Sequence, residues 1–222
     1  MRLRVTFAKT GSLRYIGHLD LHQIWERTVR RAGLPLAYTQ GFHPGPRIQI
    51  AAALPLGFIG CKELVDIWLN ELKEEDAILC QELLQSASPP GLTIIRLETV
   101  DERAPALQTQ VAAAEYEIVF RESTAGSDLE TKINALLEKS SLPRERRGKP
   151  YDLRPLIQSL TLLLAEPHQS GVGEEGGGML RMVLSAREGA TGRPEEVLAE
   201  LGIQMEGLRI ERTRLIFKSG IE

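Results

Sequence analysis

The sequence predicts an α+β protein built from two tandem halves, each in the order β-α-β-β-α-β, the first with an extra strand. Three observations carry this expectation. Period-two and period-3.6 apolar patterns alternate along the first hundred residues in that order. The same order recurs after an Ala- and Gln-rich stretch. The composition, 42% apolar and 26% charged, is that of a packed globular chain. Two such units in sequence are the ferredoxin-like arrangement used twice. The halves are placed at residues 1–103 and 115–222, with 104–114 as a linker carrying a helical turn. The repeat is one of pattern, since no residue-level identity joins the halves.

The first strand follows from Leu3, Val5 and Phe7 alternating with Arg4, Thr6 and Ala8. His18 to Ala32 reads as a helix with an apolar stripe of Leu19, Leu21, Ile24, Trp25, Val29 and Ala32, stopped by Gly33. Pro35 to Thr39 is the extra extended piece, and Gln40 to Pro46, with two Gly and two Pro, is a loop. Strands are expected at Arg47–Leu54 and Leu64–Leu69, a helix at Glu74–Ser86, and a closing strand at Leu92–Leu97. In the second half, strands are expected at Tyr116–Phe120, Leu156–Leu164, Met179–Ala186 and Leu208–Phe217. Helices are expected at Asp128–Glu138 and from Arg193 to about Leu201, where Pro194 and the acids after it suit a first turn. The segment Pro143–Pro155 reads as a basic loop, and GVGEEGGG after it as a flexible one.

No apolar run approaches the roughly 20 residues of a membrane span, and MRLRVTFAK has no apolar signal region. With only Cys61 and Cys80, reduced thiols and a cytoplasmic location are expected. The net charge of −3 argues against a general polyanion binder, but its distribution is uneven. Met1 to Arg47 holds Arg2, Arg4, Lys9, Arg14, Arg27, Arg30, Arg31 and Arg47 against Asp20 and Glu26, a local net of +6.

That basic front contains two motif clusters. Lys9-Thr-Gly11-Ser-Leu-Arg14-Tyr15-Ile-Gly-His18-Leu-Asp20 is a glycine-bearing strand-to-helix turn, where backbone N–H groups could meet an anion beside Lys9 and Arg14. It lacks the spacing of a P-loop, and a plain connector explains the glycines as well. Arg27, Arg30 and Arg31 share a helix face that could span phosphates or simply be solvated. The second cluster, Tyr38-Thr-Gln-Gly41-Phe42-His43-Pro44-Gly-Pro-Arg47, could stack unpaired bases, or be a rigid turn with Phe42 tucked into the core. His18 and His43 could form an acid–base pair if the fold brings them together. His18, His22 and Glu26 recur every four residues, but a zinc-protease helix needs Glu where Leu19 stands, so neither metal nor cofactor is expected. Arg146, Arg147 and Lys149 could extend a nucleic-acid path in the second half.

FAKTG, RYIGHLDL and ERTVRRAGLPLAYTQGFHPGPR together resemble a bacterial family, the radical SAM-linked proteins, closely over Phe7 to Gly57. KPYDLRP and RPEEVLAELG extend the resemblance into the second half. Gly17 departs from it, standing where a Ser is often expected, as does the acidic GVGEEGGG loop. The resemblance implies a domain fused to, or encoded beside, a radical SAM protein. It carries over motif positions (Lys9, Gly11, Arg14, Tyr15, His18, Asp20, Arg30, Arg31, Tyr38, Gly41, Phe42, His43, Pro44 and Arg47) and no catalytic residue. The chain itself has no CxxxCxxC cluster motif. The tandem ferredoxin-like expectation also looks like the CRISPR repeat-processing endoribonucleases, by fold analogy alone.

The function expected is therefore an RNA-binding accessory module acting with a radical SAM partner. One alternative is a metal-independent endoribonuclease using His18 or His43. Another is a docking domain for the radical SAM enzyme, anchored by Tyr15, Tyr38 and Phe42. The first two need the opening turn, the arginine face and the Gly/Pro loop to gather into one positive hollow.

Overall fold

The computed structural model describes residues 1–70, 77–121, 128–164 and 177–218. It is an α+β fold with five α-helices among those residues, and it divides into two compact units. One comprises Met1–Val111 and Phe217–Glu222, the other Ala112–Ile216.

The first unit opens with β1 (Arg2–Lys9), a 3-10 helical turn (Gly11–Tyr15) and α1 (His18–Arg31). Then come β2 (Ile48–Ile50), β3 (Ile59–Trp68), α2 (Ala77–Ala87), β4 (Leu92–Val100) and the short α3 (Leu107–Gln110). Its sheet runs β4-β1-β3-β2, and every pairing is antiparallel. Leu3, Val5 and Phe7 turn one face of β1 onto Leu21, Trp25 and Val29 of α1 and Cys80 and Leu84 of α2. Trp25 meets Phe7 edge-on with ring centroids 4.9 Å apart. Burying each such aromatic contributes roughly 2–3 kcal/mol, so this seam anchors helix to sheet. Gly33, at φ 69°, stops α1 in the left-handed conformation that glycine adopts without strain.

The expected extra strand at Pro35–Thr39 does not form. Only the isolated bridges Leu36↔Leu69 and Tyr38↔Pro46 occur there, because Pro35 supplies no N–H and the chain turns away at the Gly/Pro loop. The strand expected at Arg47–Leu54 shortens to three residues, while β3 starts five residues ahead of its expected Leu64. For the helix expected at Glu74–Ser86, residues 74–76 lie outside the described residues.

The other face of β1 departs from an ordinary solvated face. Arg2, Arg4 and Asp66 are all buried. Arg2 donates to Asp66 Oδ2 from Nε at 2.9 Å and Nη2 at 2.6 Å, and Arg4 donates from Nε to Oδ1 at 2.9 Å. Arg2 is further satisfied by the carbonyls of Ala104 and Pro105. The expected linker thus closes over this cluster and carries α3.

The second unit has β5 (Val111–Arg121), α4 (Leu129–Glu138), β6 (Pro143–Arg146), β7 (Lys149–Asp152) and β8 (Ile157–Leu164). It ends with β9 (Gly177–Arg187), β10 (Ala190–Thr191), α5 (Pro194–Glu200) and β11 (Arg209–Phe217). β5 lies between β9 and β11, and both β8 and β10 pair with β9. Ile118 and Phe120 of β5, Leu180 and Met182 of β9, Ile133 and Leu136 of α4, and Val197 and Leu198 of α5 are all buried. The expected basic loop is instead a two-stranded hairpin, β6–β7. Of GVGEEGGG, residues 171–176 lie outside the described residues.

Candidate nucleic-acid interface

Strand register decides where the two motif clusters of the first unit sit. β1 pairs Arg2 with Trp68 and Lys9 with Gly60, so its ends lie roughly 23 Å apart at about 3.3 Å per residue. The opening turn belongs to the Lys9 end. Thr10 N donates to Gly91 O at 2.8 Å, and Gly57 N donates to Arg14 O at 2.8 Å. Gly91, at φ 90°, permits that approach, since a Cβ there would stand 2.6 Å from Thr10 O. The Gly/Pro loop belongs to the Trp68 end. Ala37 N donates to Trp68 O at 2.8 Å and Trp68 N to Arg47 O at 3.0 Å.

The single positive hollow that the sequence suggested is therefore not formed. The turn with Arg14, Tyr15, His18 and Asp20 stands at one end of α1, and Arg27, Arg30, Arg31, Tyr38, Phe42, His43 and Arg47 gather at the other. His18 opens α1, whereas His43 lies on the Gly/Pro loop between Tyr38 and Arg47, so the two stand on different elements. The +6 front also shrinks. Arg2 and Arg4 are consumed by Asp66, and Lys9 is buried with its Nζ donating to Ile16 O at 3.0 Å. Lys9 thus cannot serve as a surface anion ligand as expected.

At the Lys9 end, the Arg14 guanidinium lies 4.6 Å from the Tyr15 ring centroid and hydrogen-bonds the Tyr15 hydroxyl. Tyr15, Leu19 and Leu56 are 61%, 78% and 63% exposed there, which leaves apolar surface in water. His22 Nε2 lies 3.2 Å from Ile48 O. Among the described residues no cluster of His, Cys, Asp and Glu is arranged to hold a metal ion. Cys61 and Cys80 are not disulfide-bonded.

The Trp68 end is richer. Arg30 donates to the Tyr38 hydroxyl from Nε at 3.0 Å and Nη2 at 2.7 Å, and pairs with Glu26 at 3.2 Å. The Tyr38 bond, then Glu26, holds the guanidinium above its ordinary pKa, so it stays charged. Arg27 and Arg31 are exposed beside it. The loop is closed by Thr39 N donating to Gly45 O at 2.8 Å and Gly45 N donating to Thr39 Oγ1 at 3.0 Å. At its tip Phe42 is 102% exposed, which excludes the core-tucked alternative. Arg47 stacks over Trp68, its guanidinium 4.8 Å from the ring centroid. The end thus combines fixed cations with one aromatic ring offered to solvent.

In the second unit the hairpin carries the remaining motif residues. Arg146 is paired with Lys149 across the strands, and Arg147 and Gly148 form the two-residue turn, with φ of 50° and 74°. Its base is tied down. Leu142 N donates to Asp152 Oδ1 at 2.7 Å, Arg144 pairs with Glu200, and the Tyr151 hydroxyl hydrogen-bonds Glu196. The Leu142 bond holds the Asp152 carboxyl below its ordinary pKa, and the Lys139 contact does the same for Glu200. Burial pushes Glu196 up, against the fields of Arg144 and Arg146. Sequence reading missed this hairpin because Arg-Gly is not a usual turn pair. It also missed Asp66, whose partners lie more than 60 residues away, and Trp68, which Ala37 and Arg47 meet from a separate stretch of the chain.

These elements define an α+β protein of two units, with an aromatic-cationic end on one and a cationic hairpin on the other. The chain belongs to the bacterial family DUF2344, described as an uncharacterized protein conserved in bacteria, which spans residues 2–194 and so includes both surfaces. No curated protein matches the chain. No helix of the described residues is long and apolar enough to cross a membrane.

Proposed function

We propose that this protein is an RNA-binding accessory module whose primary contact, in place of the single hollow the sequence suggested, is the Trp68 end of the first unit alone. The observation that carries the reading is Phe42, fully exposed on a closed loop beside Arg30, Tyr38, Arg31 and Arg47. An aromatic left in water gains when a base stacks on it, by about 1–3 kcal/mol per base. Neighbouring guanidiniums meet the phosphates, and Arg30 is held in place by Tyr38 before any ligand arrives. Single-stranded RNA suits this arrangement better than a duplex, because unpaired bases present their faces. The experiment is fluorescence anisotropy with a labelled oligouridylate. Phe42→Ala is expected to weaken binding about tenfold, and joint Arg30→Gln and Arg31→Gln to weaken it and flatten its salt dependence. Indifference to both variants, with wild-type binding intact, would place the RNA elsewhere, and absence of wild-type binding at low salt would end the reading.

The resemblance in the motif residues leads us to include a radical SAM protein as the partner that acts on the bound RNA. Tyr15, Leu19 and Leu56, exposed together at the far end of α1, favour a second reading in which that end docks on the partner protein. Leu19→Ser should then abolish co-purification while leaving RNA binding unchanged. For the endoribonuclease alternative, His18 and His43 stand on different elements, α1 and the Gly/Pro loop. For the architecture we propose two ferredoxin-like units. The β4-β1-β3-β2 order of the first and the neighbour relations of β8, β9, β5 and β11 in the second support it.

A further inference from the structure

Three features make the β6–β7 tip costly to build. Arg146 and Lys149 stand directly opposite on neighbouring strands, a like-charge pairing that destabilises a hairpin. Arg147 occupies φ 50°, where glycine or asparagine is the unstrained choice, and it is the one non-glycine residue with positive φ among the described residues. Neither the Arg147 nor the Lys149 side chain has a hydrogen-bond or ion-pair partner among the described residues, and Arg146 acts on Glu196 through its field. Strand alternation puts Arg146 and Lys149 on the face that Arg144 and Tyr151 use to reach Glu200 and Glu196, with Glu145 on the opposite face. The anchored base therefore holds an uncompensated cationic tip in a defined direction. Charge and strain concentrated on an otherwise well-tied hairpin indicate a ligand that supplies the missing negative charge.

We propose that Arg146, Arg147 and Lys149 grip the phosphodiester backbone of single-stranded RNA without reading its sequence. This assignment rests on the RNA reading above and adds a second contact to it, distinct from the stacking end. The tip offers no aromatic ring, so base identity is not read there. Its contribution is counterion release, about 0.7 in the slope of log affinity against log salt for each phosphate met on a single strand.

The test compares the full chain with the combined variant Arg146→Ser, Arg147→Gly and Lys149→Ser, using oligouridylate across a potassium chloride series. The variant should bind more weakly and with a slope shallower by about 2. Arg147→Gly alone should weaken binding while its thermal midpoint stays at or above that of the wild type, because glycine relieves the left-handed turn. A loss of binding with a lowered midpoint would mean the fold was damaged, and would count against the grip. An unchanged slope in the combined variant, with wild-type binding present and sensitive to Phe42→Ala, overturns the hairpin assignment alone. No wild-type binding to oligouridylate overturns both readings. Tip-dependent binding of polyglutamate that exceeds binding of oligouridylate would assign the tip to an acidic protein segment instead.

Discussion

Asp66 shows how one residue can decide the fate of several others. Its carboxylate is fully buried and serves two guanidiniums, with Arg4 Nη2 reaching Oδ2 at 3.1 Å in addition to the bonds from both Nε atoms. Removing the acid would leave two buried cations facing each other. Asp66→Asn should therefore cost about 3–5 kcal/mol, read as a lower urea midpoint with an unchanged slope. A loss below about 1 kcal/mol would show that water already reaches Arg2 and Arg4. The same residue explains why charge counting overstated the basic front. Bases at alternate positions of a strand look solvated in a sequence, yet they were neutralised by an acid more than 60 positions away.

At the level of elements, α5 and the hairpin form one ionic unit. Glu200 joins Lys139 of the α4 C-cap to Arg144 of β6, while Glu196 meets Tyr151 of β7. Burial raises the Glu196 pKa, so the folded state holds its proton more tightly than the unfolded chain does. The stability tied to that proton is present below the unfolded carboxyl range and is lost as pH rises through the folded value. Glu196→Gln, which keeps an acceptor for Tyr151, should then raise the denaturation midpoint at about pH 8 and lose that advantage by about pH 4. A variant less stable than wild type at about pH 8 would mean that the fields of Arg144 and Arg146 outweigh burial. Helices were legible from the sequence to within a few residues, because each rests on its own apolar period, whereas β3 and β5 begin five residues ahead of their expected starts, β5 inside the expected linker. The hairpin was not, since PRERRGKPYD has no apolar alternation, and its strands are held by α5 rather than by a core of their own.

For the molecule as a whole, a chain of net charge −3 and pI near 5.9 would have to bind the proposed polyanion through local surfaces. Four arginines at the Trp68 end (27, 30, 31 and 47) and three cations on the hairpin bound the phosphate contacts at seven. At about 0.7 each, the salt slope of RNA binding should not exceed roughly 5 in magnitude. A steeper slope would require a further cationic surface and would show up in the same anisotropy series. By itself the sequence determined the α+β class, the order of most elements, the cores they bury and the residues that carry family resemblance, because periodicity and turn chemistry act over a few neighbours. Only the tertiary structure decided that the motif separates into two ends, that three bases of the basic front are hidden, and that Phe42 stands in water. Those outcomes depend on strand register and long-range pairing, which no local pattern encodes.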